Sequence, residues 1–445
     1  MNKHYWYGLL KLKIMVLIYF FAISSEVFAI EPANPNANSN VKLILNFFST
    51  LTSRTDHRLV SGQFIGYSGG AKNAGMLPAI YSNTGKWVGI EGSDYAHWSP
   101  SHHIRYNFTN PELIKAWKAG SLVTLQVMMT NPANPNGGGL WDTGVDLNQL
   151  LVPGTDTYSR WISEMDIIAA GLSQLQDSGV VVLFRPFHEM NGAWFWWGGK
   201  NTSLFVKVWK QMFDYYTNTK KLNNLLWVYG PMSGATATSY YPGEAYVDIT
   251  GFDVYSSNVN TAAIGGYSAM VKLGKPFGFT EFGPENSSNP SGNFDYRIFI
   301  NGLKTNFPDA CFFLCWDENW GLTSNKYVKE ALTDSYVANR EDLNWSQPTG
   351  LIKIGPDPAF DGIKVYPNPM RKGNGLNLDL SRLIRGHEIR ISVFDIGGKA
   401  IIRQKLPSSF DGIYEFKNTK SLQQGIYLLS VESKNISAKL RFVVI

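Results

Sequence analysis

Residues 180–198 read VVVLFRPFHEMNGAWFWWG, and this stretch decides how the rest of the chain is interpreted. The apolar residues 180–184 are typical of a buried parallel strand. Four polar residues follow where that strand would end: Arg185, His188, Glu189 and Asn191. Enzymes of the α/β class place their chemistry at the ends of such strands. The stretch therefore predicts a catalytic site.

Glu189 is the candidate catalytic residue of this stretch. Its apolar surroundings predict a raised pKa, as a general acid that works near neutrality needs. Four large rings follow at positions 194–197, and rings beside a carboxylate suggest a sugar ligand. The alternative is that Glu189 pairs with Arg185 and the rings fill the core.

Eight apolar runs recur along the chain at intervals that suit alternating strands and helices. They cover residues 58–64, 87–92, 122–129, 180–184, 225–229, 247–255, 276–282 and 311–316. Helical spacing of apolar residues lies between them, as at 160–176 and 203–217. Eight such repeats predict an α/β fold, a (β/α)8 TIM barrel with its active site just past the strand ends. The longest insertion, 130–158, is interpreted as a loop on the substrate side.

A second carboxylate is expected at another strand end, because a retaining glycosidase uses two carboxyl groups roughly 5 to 5.5 Å apart. Glu281 ends the seventh run, and Glu189 follows the fourth. Asp253 and Tyr255 end the sixth run, where a phenol that donates to the nucleophile would keep it ionised. Trp316 ends the eighth run. The alternative is that Glu281 belongs to an ion pair at the barrel rim.

The composition favours carbohydrate over nucleic acid as the partner. Aromatic residues make up 14% of the chain and charged residues only 17%. The net charge of +5 is misleading, because residues 1–29 carry +2 and residues 361–445 carry +7, which leaves −4 for residues 30–360. A mildly acidic middle argues against a polyanionic substrate.

The first 29 residues read as a secretory signal peptide. Lys11 and Lys13 precede an apolar run at 14–23, and a small-residue cleavage site ends at Ala29. Residues 30–40 are predicted to be a linker. Their sequence, IEPANPNANSN, is rich in Pro and Asn and has too few apolar residues to form a core. The only cysteines, Cys311 and Cys315, would lie about 13 Å apart on one strand, which is too far for a disulfide.

The run RPFHEMNGAWFWWG, with GFDVY and FTEFG behind it, resembles glycoside hydrolase family 26 over roughly residues 41–343. The commonest activity of that family is endo-β-1,4-mannanase. The resemblance implies a retaining mechanism on a (β/α)8 barrel, with Glu189 as acid/base and Glu281 as nucleophile. It implies no cofactor and no metal.

The resemblance also implies roles for the neighbouring residues. His188 would contact the sugar or steady the nucleophile, and Trp194 would be a sugar platform. Tyr255 would donate to the nucleophile, and Trp316 would form the floor of the subsite next to the cleaved bond. Arg185, Asn191 and Asp253 complete the predicted substrate-binding set. One position departs from the family: Met128 stands where members often have a sugar-contacting histidine. His97 and Trp98 follow the second run, at the rim of the barrel where substrate would bind. They either contact the substrate or have a purely structural role.

The C-terminal residues 363–445 follow a predicted linker at 344–362 and change to short alternating runs, which predict a small all-β sandwich domain. The ordered motifs VYPNPM, ISVFDIGGK, GIYLLSV and KLRFVVI resemble the C-terminal sorting domain of type IX secretion. The resemblance implies the type IX secretion machinery as a partner and a secreted or cell-surface location. The alternative, a carbohydrate-binding module, is disfavoured because the segment has no tryptophan.

Taken together, the sequence predicts a secreted, monomeric, retaining endo-β-mannanase that acts on mannan, glucomannan or galactomannan. One alternative is a hydrolase of another β-glycan, such as β-1,3-xylan or mixed-linkage glucan. Another is a catalytically silent surface glycan-binding protein.

Overall fold

The computed structural model describes residues 30–67, 75–96, 104–287, 289–345, 364–380, 388–395, 400–407, 412–433 and 436–445. The chain divides into two compact units, with the division between Trp345 and Ser346. The predicted signal peptide at 1–29 and most of the predicted linker at 344–362 lie outside the described residues.

The larger unit is a closed barrel of eight parallel strands, β2 to β9, in which β9 pairs with both β8 and β2. Their bounds are β2 Gly62–Tyr67, β3 Ile90–Asp94, β4 Leu122–Gln126, β5 Val182–Arg185, β6 Leu225–Tyr229, β7 Ile249–Tyr255, β8 Phe277–Gly283 and β9 Ala310–Cys315. Two short strands, β1 Leu59–Val60 and β10 Val337–Ala338, extend the sheet beside β9. The predicted barrel is confirmed, and each of its strands lies within or overlaps one of the eight apolar runs.

In the described part of the chain, eight α-helices pack their buried apolar residues against the barrel. Their bounds are α1 Ser39–Leu51, α2 Met76–Thr84, α3 Tyr106–Lys118, α4 Asp156–Asp177, α5 Thr202–Asp214, α6 Tyr267–Val271, α7 Tyr296–Asn306 and α8 Val328–Leu332. The Thr155 side chain accepts a hydrogen bond from the backbone N–H of Tyr158, which caps α4 and fixes where it begins. The helices predicted at 160–176 and 203–217 correspond to α4 and α5. None of the described helices is both long and apolar enough to cross a bilayer.

Successive side chains of each strand point to opposite faces of the sheet. The barrel unit therefore has two hydrophobic cores, one inside the barrel and one between the strands and the helices. In β5, Val182 and Phe184 face the helices, whereas Leu183 and the preceding Val181 face the barrel interior. Helix α1 contributes Ile44 and other apolar residues to the interior cluster. It therefore closes the amino-terminal end of the barrel, opposite the end where the carboxyl termini of the strands lie.

The segment before α1 was predicted to be a linker at 30–40, and the structure corrects this. Asn34 and Ala37 are buried, and α1 already begins at Ser39. The backbone N–H of Ala33 donates to Oδ1 of Asp248 at 2.6 Å, and that of Trp227 donates to Oδ2 at 2.7 Å. A Pro/Asn-rich composition suggested disorder, but a buried carboxylate from elsewhere in the barrel holds the segment in place.

Replacing Asp248 with alanine is expected to destabilise the barrel unit by about 1–3 kcal/mol, because two buried backbone donors lose their acceptor. Burial raises the pKa of Asp248 to about 6. Its contribution is therefore largest at low pH and declines as pH rises through 6. Urea unfolding at pH 5 and pH 8 measures the change. Asp56→Ala is the control, because Asp56 is exposed and its 3.6 Å pair with Arg54 contributes little; equal effects of the two substitutions would contradict the assignment.

The smaller unit contains two antiparallel sheets, as predicted. Strands β11 Lys364–Tyr366, β12 Leu376–Asp379 and β15 Ile413–Phe416 form the first. Strands β13 Ile389–Phe394, β14 Ala400–Leu406, β16 Gly425–Ser433 and β17 Ile436–Val444 form the second, in the order β14-β13-β16-β17. Apolar residues from both sheets, such as Leu378 and Leu429, form one buried cluster. Tyr427 also belongs to that cluster.

Both cysteines of the chain are free and buried in β9. Cys311 faces the interior cluster and Cys315 the outer one. Burial raises the pKa of the Cys315 thiol to about 12, so it remains uncharged. The barrel unit is therefore held together by packing and hydrogen bonds rather than by a crosslink.

Candidate active site

Arg185, the last residue of β5, organises the carboxyl end of the barrel. Its guanidinium donates to Oδ2 of Asp253 at 2.5 Å, and also to Oε1 of Glu281 and Oε1 of Gln126. Burial lowers the pKa of Arg185, but the charges of Asp253 and Glu281 together raise it by more than burial lowers it, so the net shift is upward. The alternative that Arg185 pairs with Glu189 is not what the structure shows, and one buried cation instead holds carboxylates from β7 and β8.

Glu281 lies in β8 and is 2% exposed. Tyr255, the last residue of β7, donates its phenol hydrogen to Oε2 of Glu281 at 2.8 Å, as predicted from its strand position. Oε1 accepts from Arg185. Because each of its oxygens accepts a hydrogen bond from a buried side chain, the orientation of the Glu281 carboxyl group is fixed.

Glu189 lies in the turn after β5 and has a positive φ of 54°, a backbone conformation that few residues other than glycine adopt. Its N–H donates to the carbonyl of Gly230 at 2.9 Å, which keeps the turn in place. Trp194 donates from Nε1 to Oε2 of Glu189 at 2.7 Å. Burial, followed by the charge of Glu281, raises the pKa of Glu189 to about 8. Glu189 therefore holds a proton at neutral pH, and because Oε2 accepts from the indole, that proton belongs on Oε1.

The two glutamates face each other. A carboxylate oxygen of Glu189, one of Glu281 and one of Asp253 all lie within 4.8 Å of one another. Three carboxylates so close together could in principle hold a cation. Here the guanidinium of Arg185 already pairs with both Asp253 and Glu281, and protonation removes the charge of Glu189 at neutral pH. The arrangement thus sets Glu281, which is paired with Arg185, against Glu189, which holds a proton at neutral pH.

Asp253 and Arg185 were predicted to bind substrate, and the structure gives them another position. Asp253 has no exposed surface, and its Oδ1 accepts from the Thr280 hydroxyl at 2.6 Å. Arg185 is 2% exposed. Both are thus buried and hydrogen-bonded to each other, and Arg185 also to Glu281. A strand-end position marked them correctly as parts of the site, but it could not show their depth.

The row of rings at 194–197 is mostly core, which corrects its interpretation as a wall for sugar. Phe195, Trp196 and Trp197 are buried, whereas Trp194 is 39% exposed. Gly192 permits the Trp194 indole to fold back over Glu189, since a Cβ at Gly192 would collide with that ring. One ring was missed: Trp141, on the predicted 130–158 loop, is 51% exposed and stacks on Phe195 at 5.0 Å.

The remaining predicted residues lie around the glutamates. His188 is buried against Phe195 and Trp197, and burial, with the nearby charge of Arg185, lowers its pKa well below the usual value, so it is neutral. Asn191 exchanges two hydrogen bonds of 2.9 Å with the backbone of Met232 and so joins the turns after β5 and β6. Trp316 follows β9.

Trp316 is 9% exposed and stacks on Phe64 at 4.2 Å, in an orientation fixed by that ring. Met128, at the position that departs from the family, is buried, and its N–H donates to Asp94 at 3.1 Å. The predicted candidates His97 and Trp98 lie outside the described residues.

Replacing Trp194 with phenylalanine is expected to move the alkaline limb of the pH–rate profile to higher pH. The indole N–H lowers the pKa of Glu189, so removing it raises that pKa, by up to about one unit. The profile of kcat/KM measures the shift. Trp141→Phe is the matched control, because no hydrogen bond joins Trp141 to Glu189; a limb that does not move in Trp194→Phe contradicts the assignment.

Comparison with known families agrees with this geometry. Residues 33–342 match the model of glycosyl hydrolase family 26, which covers well over half of the chain. The chain belongs to glycosyl hydrolase family 26. Residues 364–445 match the model of the secretion system C-terminal sorting domain, so the second unit of this family 26 glycosidase is a sorting domain.

Relatives of this family 26 enzyme have been characterised and solved. It is 36% identical to the mannan endo-1,4-beta-mannosidase A and B of Caldalkalibacillus mannanilyticus over 75% of this chain and 68% of that protein. It is 35% identical to a mannan endo-1,4-beta-mannosidase of Bacillus subtilis over 74% of this chain and 95% of that protein. A crystal structure of a Bacillus subtilis mannanase is similar with a TM-score of 0.67 and 34% identity, over 74% of this chain and 99% of that one.

Proposed function

We propose that this protein is a retaining endo-β-1,4-mannanase. The observation that carries the proposal is the pair Glu189 and Glu281: one carboxyl oxygen of each lies within 4.8 Å of the other, and Glu189, whose pKa is raised to about 8, holds a proton at neutral pH. A separation of about 5 Å is typical of retaining glycosidases, whereas inverting enzymes need roughly 6.5 to 9.5 Å to admit a water molecule. The mannanase activity of the relatives supports β-mannan as the substrate.

In the first step, Glu281 attacks the anomeric carbon and Glu189 gives its proton to the departing glycosidic oxygen. Hydrogen bonds from Tyr255 and Arg185 hold the Glu281 carboxyl group in place before the attack. The glycosyl group is then bound covalently to Glu281. In the second step, Glu189, now ionised, removes a proton from water, which attacks the anomeric carbon and releases Glu281.

Substrate binding is assigned to two exposed aromatic rings, Trp194 and Trp141, and to the mostly buried ring of Trp316. Trp194, hydrogen-bonded to Glu189, and Trp141, stacked on Phe195, present exposed ring surface and are suited to stacking on pyranose rings. Trp316, held by Phe64, is assigned to the sugar next to the cleaved bond. His188 and Asn191 are assigned to the same region, whereas Arg185 and Asp253 act through Glu281.

The domain boundaries and the export route belong to the same proposal. A signal peptide at 1–29, a catalytic domain that ends near 343 and a sorting domain from about 363 would direct the enzyme through the type IX machinery to the cell surface or the medium. The match of residues 364–445 to a secretion sorting domain supports this route.

The test is reducing-sugar release from unbranched mannan, galactomannan, β-1,3-xylan and mixed-linkage glucan, with proton NMR of the first product formed. We expect cleavage of mannan into oligosaccharides, with the product first appearing as the β-anomer. Preference for another glycan would keep the mechanism and change the substrate. Tight glycan binding without any hydrolysis would instead support a silent binding protein.

A further inference from the structure

Two buried polar residues continue the row of active-site residues around the barrel. Asp94 ends β3 and is the cross-strand partner of Gln126, which ends β4. Gln126 is in turn the partner of Arg185. Partners in a parallel ladder point to the same face of the sheet, so the three side chains lie side by side in the barrel. Asp94 has no exposed surface and Gln126 is 2% exposed, so both side chains are enclosed by protein.

Hydrogen-bond polarity fixes how Gln126 must be oriented. A guanidinium has only donors, so the amide can meet Arg185 only with its oxygen, Oε1. The amide nitrogen, Nε2, is then left for the other neighbour on the row. Nε2 is buried and has no hydrogen-bond partner within bonding distance among the described residues. A buried donor of this kind needs an acceptor.

Asp94 offers that acceptor. Its Oδ1 accepts from the backbone N–H groups of Ala96 at 2.8 Å and Met128 at 3.1 Å. Its Oδ2 is buried and, within the part of the chain that the structure describes, also lacks a partner at bonding distance. Burial raises the pKa of Asp94 to about 7, while the backbone donors, the Gln126 side chain and the charge of Arg185 lower it. The net shift is upward, so the carboxyl group of Asp94 is ionised, and accepts hydrogen bonds only, above about pH 7.

We propose that Asp94 is a positioning residue for the nucleophile. Its carboxylate takes the amide hydrogen of Gln126 and so holds the amide oxygen against Arg185, which in turn holds Glu281. Without Asp94 as acceptor, the amide can turn over and present its nitrogen to the guanidinium, where two donors repel. The inference rests on the proposed function, since it assigns Asp94 to the orientation of the group that attacks the sugar.

An exchange of the two side chains tests the proposal. In Asp94→Asn the carboxamide can still accept from both backbone donors, but it sets its NH2 against the NH2 of Gln126. In Gln126→Glu two carboxylates face each other. The double variant Asp94→Asn with Gln126→Glu restores one donor and one acceptor and keeps the net charge. We expect each single variant to lower kcat on mannan by about tenfold or more with little change in KM, because Glu281 is misaligned. We expect the double variant to recover most of that loss.

A merely structural role gives a different pattern. If Asp94 only caps backbone N–H groups, Asp94→Asn keeps the kcat of the wild type, and the proposal is overturned. Losses that add in the double variant overturn it as well, because the two side chains are then independent. All four proteins are also compared by melting temperature, where the same coupling is expected as single-variant losses of about 2–4 °C that the double variant regains. A wild-type protein with no hydrolysis would defeat the proposed function alone, since the melting temperatures still decide whether residues 94 and 126 are paired in this way.

Discussion

Replacement of Glu281 by alanine is expected to lower kcat on mannan by about 10⁵-fold, because the covalent route is lost with its nucleophile. The fold is expected to remain, although Arg185 then keeps only Asp253 as its carboxylate partner. Initial rates of reducing-sugar release, with circular dichroism to check folding, measure the effect. Glu112→Ala, on the exposed surface of α3, is the control and is expected to keep the full rate.

Azide separates loss of the nucleophile from general damage to the site. A small anion can enter the space left by the Glu281 side chain and attack the anomeric carbon from the same face. With an aryl β-mannoside whose leaving group needs little protonation, Glu281→Ala is expected to form the α-mannosyl azide. Formation of a β-azide, or no rescue at all in a folded variant, would argue that another group is the nucleophile.

Replacement of Glu189 by glutamine is expected to lower kcat on mannan by about 10²- to 10⁴-fold, because the glycosidic oxygen leaves without a proton. An aryl mannoside with a good leaving group needs no such help, so its glycosylation step is expected to be nearly unaffected. Since Glu189 must be protonated to act and its pKa is about 8, the wild-type kcat/KM is expected to fall above pH 8. In Glu189→Gln this alkaline limb is expected to disappear; a limb that persists there would assign the titration to another group.

The same substitution is expected to stabilise the enzyme at alkaline pH. The folded-state pKa of Glu189, about 8, lies above its ordinary value of 4.5. Its contribution to the free energy of unfolding is therefore fully present below pH 4.5 and lost as pH rises through 8. Thermal unfolding at pH 9 is expected to show Glu189→Gln above the wild type, with little difference at pH 4. Replacing a catalytic group often increases the stability of a protein in this way, because the environment that suits catalysis is unfavourable for the folded state.

The barrel, and the meeting of Glu189 and Glu281 at one end of it, could be predicted from the sequence because both depend on local patterns. Apolar runs of strand length recur eight times, and a parallel sheet brings all carboxyl ends to one edge. That edge is where Glu189, Tyr255 and Glu281 were expected to meet, and the structure brings them together. Their position along the chain was enough for this prediction, because each of these residues lies at the end of a strand or directly after one.

How deeply each side chain is buried, and which residue it pairs with, could not be predicted in the same way. Arg185 looked equally able to pair with Glu189 or with sugar, because sequence does not tell which carboxylate a guanidinium meets across a barrel. Gln126 and Trp141 carried no local signal, the first as one polar residue at the end of an apolar run and the second as one ring in a long loop. The segment at 30–38 looked disordered because its anchor, Asp248, is more than 200 residues away.

The two buried thiols of β9 have a practical consequence. Because the thiols Cys311 and Cys315 are free and shielded within one strand, neither folding nor retained activity depends on an oxidant. The barrel can accordingly be manufactured in the reducing cytosol of a bacterial host without a disulfide isomerase. It should also tolerate dithiothreitol or sulfide in an anoxic digester, where enzymes held together by cystine lose their structure.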